Sequence, residues 1–428
     1  SWVTTVKTST FTAVAGEGYF INTTGGVVSV NLPAGVAGAV VAIKDYAGTF
    51  DTNAVTLVQN GSDKIGGSTV NATLDTEGIA VTLVFIDSTQ GWLVTDSGLQ
   101  DEAPTAQYIT ATGGTITTSG NFKVHTFTGP GAFCVSNAGN AAGSNEISYL
   151  VVAGGGGGSA NGGGGGGAGG YREGKSPQTP YTASPLACTS GSNNGLPVAV
   201  ASYPVTVGGG GPGVSSGRST DGSVSTFAGT TTITSTGGGG SGSYCGSAAY
   251  DSPTVRGNPG GSGGGGGNGP SSTPSLPSVP TDNKGVGNTP TVSPSQGNPG
   301  GRGLHSPSYT PTGAVAGGGG GGAGGAGGEP VLNPGTAGGG GVGTPTEITG
   351  SAVSYAGGAG GGIGPGTGFT VPSGSPCGTG GAGGRYPSPG SVAGTTNRGG
   401  GGGGGGHQPQ AGANGGSGII VIRYKFQN

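Results

Sequence analysis

The first 96 residues have the alternation of apolar and polar positions that is typical of short β-strands. Val, Thr, Ile and aromatic residues are concentrated in short segments, and turn-forming pairs such as Gly25 with Gly26 and Asn60 with Gly61 separate them. The predicted strands are 2–6, 18–22, 27–32, 39–44, 55–59, 80–87 and 91–95. Short strands at this spacing favour a β-sandwich or a small barrel.

A second group of strands follows a polar stretch, 97–107, which contains Asp101, Glu102 and Pro104 and is predicted to be a linker. The predicted strands here are 108–111, 115–118, 121–127, 131–136 and 147–153. The chain closes with another apolar strand, 419–424. No amphipathic pattern of helix length occurs, so the chain is predicted to be all-β with essentially no α-helix.

Glycine changes this picture after residue 153. Of the 111 glycines, 20 lie in residues 1–150 and 91 in residues 151–428. Eight runs contain four or more consecutive glycines, namely 154–158, 162–167, 208–211, 237–240, 263–267, 317–322, 338–341 and 399–406. We therefore divide the chain into a β-module (1–96), the linker (97–107), a β-stranded lead-in (108–153), a glycine region with variable loops (154–418) and a closing strand (419–428).

The glycine region is open to two interpretations. Its composition alone is typical of a disordered linker. The similar lengths of the runs, and the strand that follows them, favour ordered rods instead. Polyglycine can form an extended helix with three residues per turn, which makes no internal hydrogen bonds. Several such helices packed side by side can satisfy one another's N–H and C=O groups, and only glycine permits so close an approach.

Composition argues against several functions. The net charge of −3 and the absence of a basic stripe argue against nucleic-acid binding. The chain has no stretch of 18 apolar residues, so membrane insertion is not predicted. A P-loop-like pattern at 169–176 and a dinucleotide-like pattern after Val151 both lack the helix that their chemistry requires. Isolated histidines and scattered carboxylates indicate no metal site, no cofactor and no enzymatic activity.

The four cysteines are Cys134, Cys188, Cys245 and Cys377, and none forms a C-x-x-C pair. A disulfide between Cys188 and Cys245 is one possibility, and free buried thiols are the other. Cysteine spacing cannot decide between them.

Four segments resemble parts of phage tail fibres, especially those of marine cyanophages. Residues 145–153, with the glycines that follow, and residues 123–129 upstream resemble the entry to the glycine-rich domain of such proteins, and 415–424 resembles its closing strand. Residues 18–50 resemble a β-module of the same fibres. The resemblance implies a tail-fibre adhesin in the virion, outside the cell. In it a polyglycine II bundle would carry variable loops that bind a host surface glycan or outer-membrane protein.

Aromatic and histidine side chains in the glycine-poor segments are the predicted receptor contacts, because exposed rings on a rigid scaffold are typical contact residues. They are Tyr181, Tyr203, Tyr244, Tyr250, His305, Tyr309, Tyr355, Phe369, Tyr386 and His407. Each ring has an alternative role in packing its loop against the glycine region.

Two other functions fit the composition. A structural extracellular filament or matrix protein would self-associate along its glycine region, and an ice-binding protein would present regularly spaced Thr on a flat face. For a tail fibre we expect a homotrimer attached to other fibre or baseplate proteins. The glycine region itself would be trimeric or folded within each chain.

Overall fold

A computed structural model describes residues 1–99, 106–189, 191, 194–244, 253–268, 282–303, 316–331, 335–364, 370–407 and 409–428. The chain forms two compact units, Ser1–Thr105 and Ala106–Asn428. Strands, turns and extended segments make up the described residues, and no helix occurs among them. The all-β prediction is confirmed. None of these residues belongs to a helix that could span a bilayer.

All seven strands predicted in the first unit are present, and two short ones are added. Their bounds are β1 (Trp2–Lys7), β2 (Phe11–Thr12), β3 (Glu17–Ile21), β4 (Val28–Asn31), β5 (Val40–Asp45), β6 (Val55–Val58), β7 (Ala72–Leu74), β8 (Ile79–Phe85) and β9 (Trp92–Leu99). β2 and β7 are two and three residues long, too short for alternation to reveal them.

The first unit contains two sheets, and the strands from β1 to β6 alternate between them. One sheet has the order β1-β3-β5-β8-β9 and the other β2-β4-β6-β7. The pairs β1/β3, β3/β5, β2/β4 and β4/β6 are parallel, so the chain winds from one sheet to the other and back. The strands after β6 pair antiparallel. Alternating side chains from both sheets form one core, which includes Tyr19, Ile43, Phe50, Leu57 and Trp92.

Asp45 shapes the turn that follows β5. Its buried carboxylate accepts hydrogen bonds from the backbone N–H groups of Gly48 at 3.0 Å, Phe50 at 3.2 Å and Gly78 at 3.0 Å. A buried carboxylate needs such donors, because leaving it unpaired is costly. The turn places Phe50, five positions after Asp45, in the core. Asp45 therefore has a structural role.

The second unit contains thirteen described strands. They are β10 (Ile109–Thr112), β11 (Thr115–Ser119), β12 (Phe122–Phe127), β13 (Gly131–Ala138), β14 (Glu146–Val152), β15 (Tyr171–Gly174), β16 (Leu196–Pro197), β17 (Ala201–Thr206), β18 (Ser225–Ala228), β19 (Thr232–Ser235), β20 (Thr344–Thr346), β21 (Val353–Tyr355) and β22 (Ile419–Lys425). β15 to β21 lie within 154–418, where only rods and loops were predicted. All are two to six residues long, so local patterns did not reveal them.

The closing strand β22 pairs on both sides, as its apolar sequence predicts. It lies between β12 and β14 in a sheet of order β11-β12-β22-β14-β15, with the short β16 also paired to β14. A second sheet has the order β10-β13-β17-β18-β19. Both sheets contribute to one core, which includes Phe133, Tyr149, Phe227 and Ile422. The two ends of the glycine region are therefore joined in one sheet.

The glycine runs are hydrogen-bonded to one another with a period of three residues. In the segment 162–169, the N–H groups of residues i and i+3 donate to the same neighbouring segment, and consecutive residues donate to different ones. The donor–acceptor pairs are Gly164–Gly242 and Gly167–Gly239, Gly165–Gly318 and Ala168–Gly321, and Gly166–Gly402 and Gly169–Gly399, with N···O distances of 2.9 to 3.0 Å. Backbone groups here are thus satisfied by other segments.

Six segments surround 162–169, three as hydrogen-bond acceptors and three as donors. They are 154–159, 237–242, 262–267, 317–322, 356–362 and 399–406. The packing leaves no room for a side chain: a Cβ placed on Gly166 would lie 2.1 Å from the carbonyl oxygen of Gly156. We call the set of side-by-side segments between residues 153 and 418 the glycine block.

The segments of the block run between two ends. Eight strands, β14, β15 and β17 to β22, join the block at the first, which we call the strand end. Backbone bonds link the residues there, as in Ala153–Gly170, Gly170–Thr236, Gly169–Gly399, Gly399–Ser417 and Gly208–Gly418. At the opposite end, the far end, the linking bonds are Gly162–Gly405, Gly163–Gly362, Gly317–Gly362, Gly384–Gly404, Gly267–Val255 and Gly158–Val214.

Candidate functional site

Seven glycine-poor segments, which we call excursions, start and end at the far end of the block, whereas the turn 288–297 lies at the strand end. The described turns 214–219 and 385–391 lie at the far end. The segments 245–252, 269–281, 304–315, 332–334 and 365–369 are outside the described residues, and both residues flanking each of them lie at the far end. The far end therefore collects glycine-poor segments that are distant in sequence.

A small apolar cluster underlies part of this end. Ala316, Ala337 and Ile363 are buried together, and Val371 packs against them. Isolated bridges join Ala316 to Ile363 and Ile363 to Arg385. These contacts hold the points at which three of the excursions leave the block, so the bases of the loops are fixed.

Asn283 links three segments where another excursion returns. Its side chain is fully buried; Nδ2 donates to the carbonyl oxygen of Gly267 at 2.8 Å, and Oδ1 accepts from the N–H of Gly303 at 3.2 Å. The amide therefore takes the place of a backbone group at the margin of the block. A buried amide with both ends bonded is well satisfied.

Charged side chains near the far end form a small network. Asp282 lies 3.3 Å from Arg302 Nε and 3.6 Å from Lys284 Nζ, and Glu329 lies 3.8 Å from Arg302 Nε. All four side chains are partly exposed, and exposed ion pairs contribute little to stability. These ion pairs therefore orient charged groups at the surface. The sequence argument missed these residues, although Arg302 and Glu329 each directly follow a pair of glycines.

Tyr386 and His407 come together at the far end. Their rings meet edge to face with centroids 6.0 Å apart, and both side chains are exposed. Gln410 stabilises the turn 385–391, because its Nε2 donates to the carbonyl oxygen of Pro387 at 2.7 Å. Two predicted contact residues, 21 positions apart in sequence, thus form one exposed pair.

The other predicted contact residues are divided between the two ends. Tyr244 lies at the far end and is half-buried. Tyr250, His305, Tyr309 and Phe369 are outside the described residues, in segments whose flanking residues lie at the far end. Tyr181, Tyr203 and Tyr355 lie near the strand end.

Tyr203 and Tyr355 are corrections to the sequence prediction. Tyr203 is 7% exposed, and its hydroxyl bonds to the backbone of Ala199 within its own loop. Tyr355 is 1% exposed beneath the guanidinium of Arg398, and burial raises its pKa. Neither ring presents a surface to a partner. Both have the packing role that was the alternative.

Tyr181 also has a structural role. Its hydroxyl donates to Glu173 Oε1 at 3.1 Å, and its ring lies 5.7 Å from the guanidinium of Arg423. Burial, and then the charge of Glu173, raise the pKa of Tyr181 strongly, so the phenol stays a donor. Thr346 also donates to Glu173, at 2.6 Å. This buried network ties the loop after β15 to β20 and β22.

Only some of the cysteines lie among the described residues. Cys245 is outside the described residues, so its pairing with Cys188 stays a prediction. Cys377 lies at hydrogen-bond distance from Ser375 Oγ, 2.8 Å, and Thr379 Oγ1, 3.2 Å. Burial acts to raise the pKa of its thiol, but the hydrogen bonds outweigh it and the pKa is lowered.

Residues 128–425 match a family model described as a glycine-rich domain. This range includes β13, β14, the whole glycine block and all of β22. The chain belongs to this glycine-rich domain family. The glycine-rich domain thus spans both strands that frame the block, in agreement with the pairing of β14 and β22. No curated protein matches the chain.

Proposed function

We propose that the chain is the receptor-binding tip of a phage tail fibre, in which the glycine block is a polyglycine II scaffold for loops that contact the host surface. The observation that carries this proposal is the separation of the two ends. Eight strands join the block at one end, and seven glycine-poor segments start and end at the other. The turn 288–297 and the strands β15 to β17 lie at the strand end.

The hydrogen bonding of the block supports the polyglycine II scaffold. A helix with three residues per turn directs its N–H groups in three directions, so residues i and i+3 should donate to the same neighbour. The segment 162–169 has this pattern, with six neighbouring segments around it. Such a scaffold keeps the bases of the loops in place without constraining the loop sequences, which suits recognition of a variable surface.

The position of the aromatic residues supports the role in recognition. Tyr386 and His407 form an exposed pair at the far end, where Tyr244 also lies. The partner would be a host surface glycan or an outer-membrane protein. The fibre would be a homotrimer attached to other tail-fibre or baseplate proteins, located on the virion and acting outside the cell.

The proposal is tested on particles and on the purified chain. Mass spectrometry of purified phage should find the chain in the virion, and the free protein should bind host cells and block infection. The double variant Tyr386→Ala/His407→Ala should weaken cell binding, while Gly209→Ala, at an exposed position with no atom near its Cβ, should bind as the wild type does. Absence from particles, or a free protein that neither binds cells nor blocks infection, would refute the proposal.

A further inference from the structure

Basic side chains outnumber acidic ones among the described residues of the far end. There are five basic residues against two acidic ones, a balance of +3. The basic residues are Arg218, Arg256, Lys284, Arg302 and Arg385, and the acidic ones are Asp282 and Glu329. The undescribed segments that start and end there add Asp251 and His305 in sequence. The sign is opposite to that of the whole chain, which has a net charge of −3.

Three of these arginines have no carboxylate within ion-pair distance among the described residues. Arg218 and Arg256 are exposed, and Arg385 is half-exposed. Two arginines near the strand end differ, because aromatic rings cover them. The guanidinium of Arg423 lies 4.3 Å from the ring of Phe122, and that of Arg398 lies 4.9 Å from Tyr355. Arg218, Arg256 and Arg385 are thus available to an anion.

Arg385 directly precedes the exposed ring of Tyr386, which lies beside His407. A guanidinium suits the planar geometry of a carboxylate or a sulfate, and an exposed ring offers an apolar face to a sugar. Tyr386 is 47% exposed and is the one exposed Tyr, Phe or Trp ring in the described part of the second unit. A protein partner would need a cluster of buried anchors, which these residues do not supply.

We propose that the far end binds an anionic polysaccharide, with Arg218, Arg256 and Arg385 near its acidic groups and Tyr386 against a sugar ring. This inference rests on the proposed function, because it names the class of receptor. Attraction of this kind depends on ionic strength: the screening length is about 10 Å at 0.1 M salt and about 3 Å at 1 M.

The test measures binding of the full chain to immobilised polygalacturonate, which carries carboxylates, to dextran sulfate, and to neutral dextran. We expect binding to at least one of the polyanions, a preference between them that identifies the acidic group, and loss of binding at high salt. The triple variant Arg218→Gln/Arg256→Gln/Arg385→Gln should bind about tenfold more weakly, from three partly exposed charge contacts.

A matched control removes the same charge elsewhere. The triple variant Lys123→Gln/Lys175→Gln/Lys425→Gln changes residues in or next to strands β12, β15 and β22, away from the far end, and should keep wild-type affinity. Equal losses in both triples, or no preference for polyanions over dextran, would overturn the inference. Binding to cells that survives periodate oxidation of their sugars and is abolished by protease would also overturn it while leaving the adhesin role intact. Polyanion binding without any cell binding would instead refute the adhesin role alone.

Discussion

The two units of the chain use opposite ways to fill an interior. In the first, large side chains such as Phe50, Leu57 and Trp92 fill the space between two sheets. In the glycine block, backbones contact backbones, and a Cβ on Gly166 would collide with the carbonyl of Gly156. One interior depends on side-chain volume and the other on its absence.

The two interiors also differ in the interactions that offset the conformational entropy lost on folding. Burial of apolar area stabilises the first unit by about 25 cal/mol per Å². Ordered glycines lose more conformational entropy than other residues, and each hydrogen bond contributes only about 1 kcal/mol net. The strands that frame the block, with their shared apolar core, therefore have a large part in its stability. Four predictions test this comparison.

The largest effect is expected where volume is removed from the first unit. Phe50 is fully buried, so Phe50→Ala should destabilise this unit by about 3–5 kcal/mol. Both tryptophans of the chain, Trp2 and Trp92, lie in this unit, so denaturation followed by tryptophan fluorescence reports on it selectively. Val27→Ala, at a side chain that is 73% exposed, is the control and should change little. A loss under about 1 kcal/mol for Phe50→Ala would contradict the side-chain core.

Adding volume should do comparable harm in the block. Gly166→Ala places a methyl group against fixed backbone, so we expect a loss of about 3 kcal/mol, at the upper end for overpacking. Calorimetry, with amide exchange in β14 and β22, measures it. Gly339→Ala has no atom within 4 Å of its new Cβ and should not destabilise the domain. Equal behaviour of the two variants would show that the segments are not closely packed.

Two adjacent glycines in an outer segment allow a finer comparison. A Cβ on Gly210 would lie 1.9 Å from the carbonyl oxygen of Gly415, whereas one on Gly209 meets nothing within 4 Å. Gly210→Ala should destabilise the domain by about 1–2 kcal/mol. Gly209→Ala should stabilise it by about 0.4–1 kcal/mol, because alanine restricts the unfolded chain. Chemical denaturation of the two variants should give shifts of opposite sign; shifts of the same sign would argue against the packing.

The smallest effect concerns pH in the strands that support the block. His125 is fully buried, and desolvation lowers its pKa, although a hydrogen bond at 2.8 Å to the carbonyl of Gly113 opposes this. The unfolded chain then binds a proton more readily, so stability should fall as the pH drops below about 6.5. In denaturation between pH 7 and 5, His125→Phe should show a smaller loss than the wild type. An identical slope would mean that His125 is not held neutral.

Much of the strand structure was predictable from the sequence, but its connectivity was not. Apolar alternation located β1, β3 to β6, β8 and β9, and the isolated apolar run at 419–424 indicated β22. The winding between two sheets in the first unit depends on how short connections cross the core, which alternation does not encode. Alternation also did not predict which glycine runs are neighbours, because runs of identical residues contain no information about pairing.

The sequence predicted which types of residue form the candidate site, but it did not predict where in the fold each residue lies. The glycine-poor segments contain the rings that the sequence singled out, and Tyr386 with His407 are exposed together. Tyr203 and Tyr355 lie within strands β17 and β21, so their side chains belong to hydrophobic cores near the strand end. The charges around Arg302 went unnoticed because Arg302 and Glu329 are distant in sequence from Asp282 and meet it only through folding.

Hydrogen exchange of the glycine amides tests most directly whether the block is held together by bonds between its segments. The account predicts that amides 164–169 exchange as slowly as those of β14 and β22, whereas the N–H of the exposed Gly209 exchanges quickly. Exchange of 164–169 within seconds in the intact protein would contradict it.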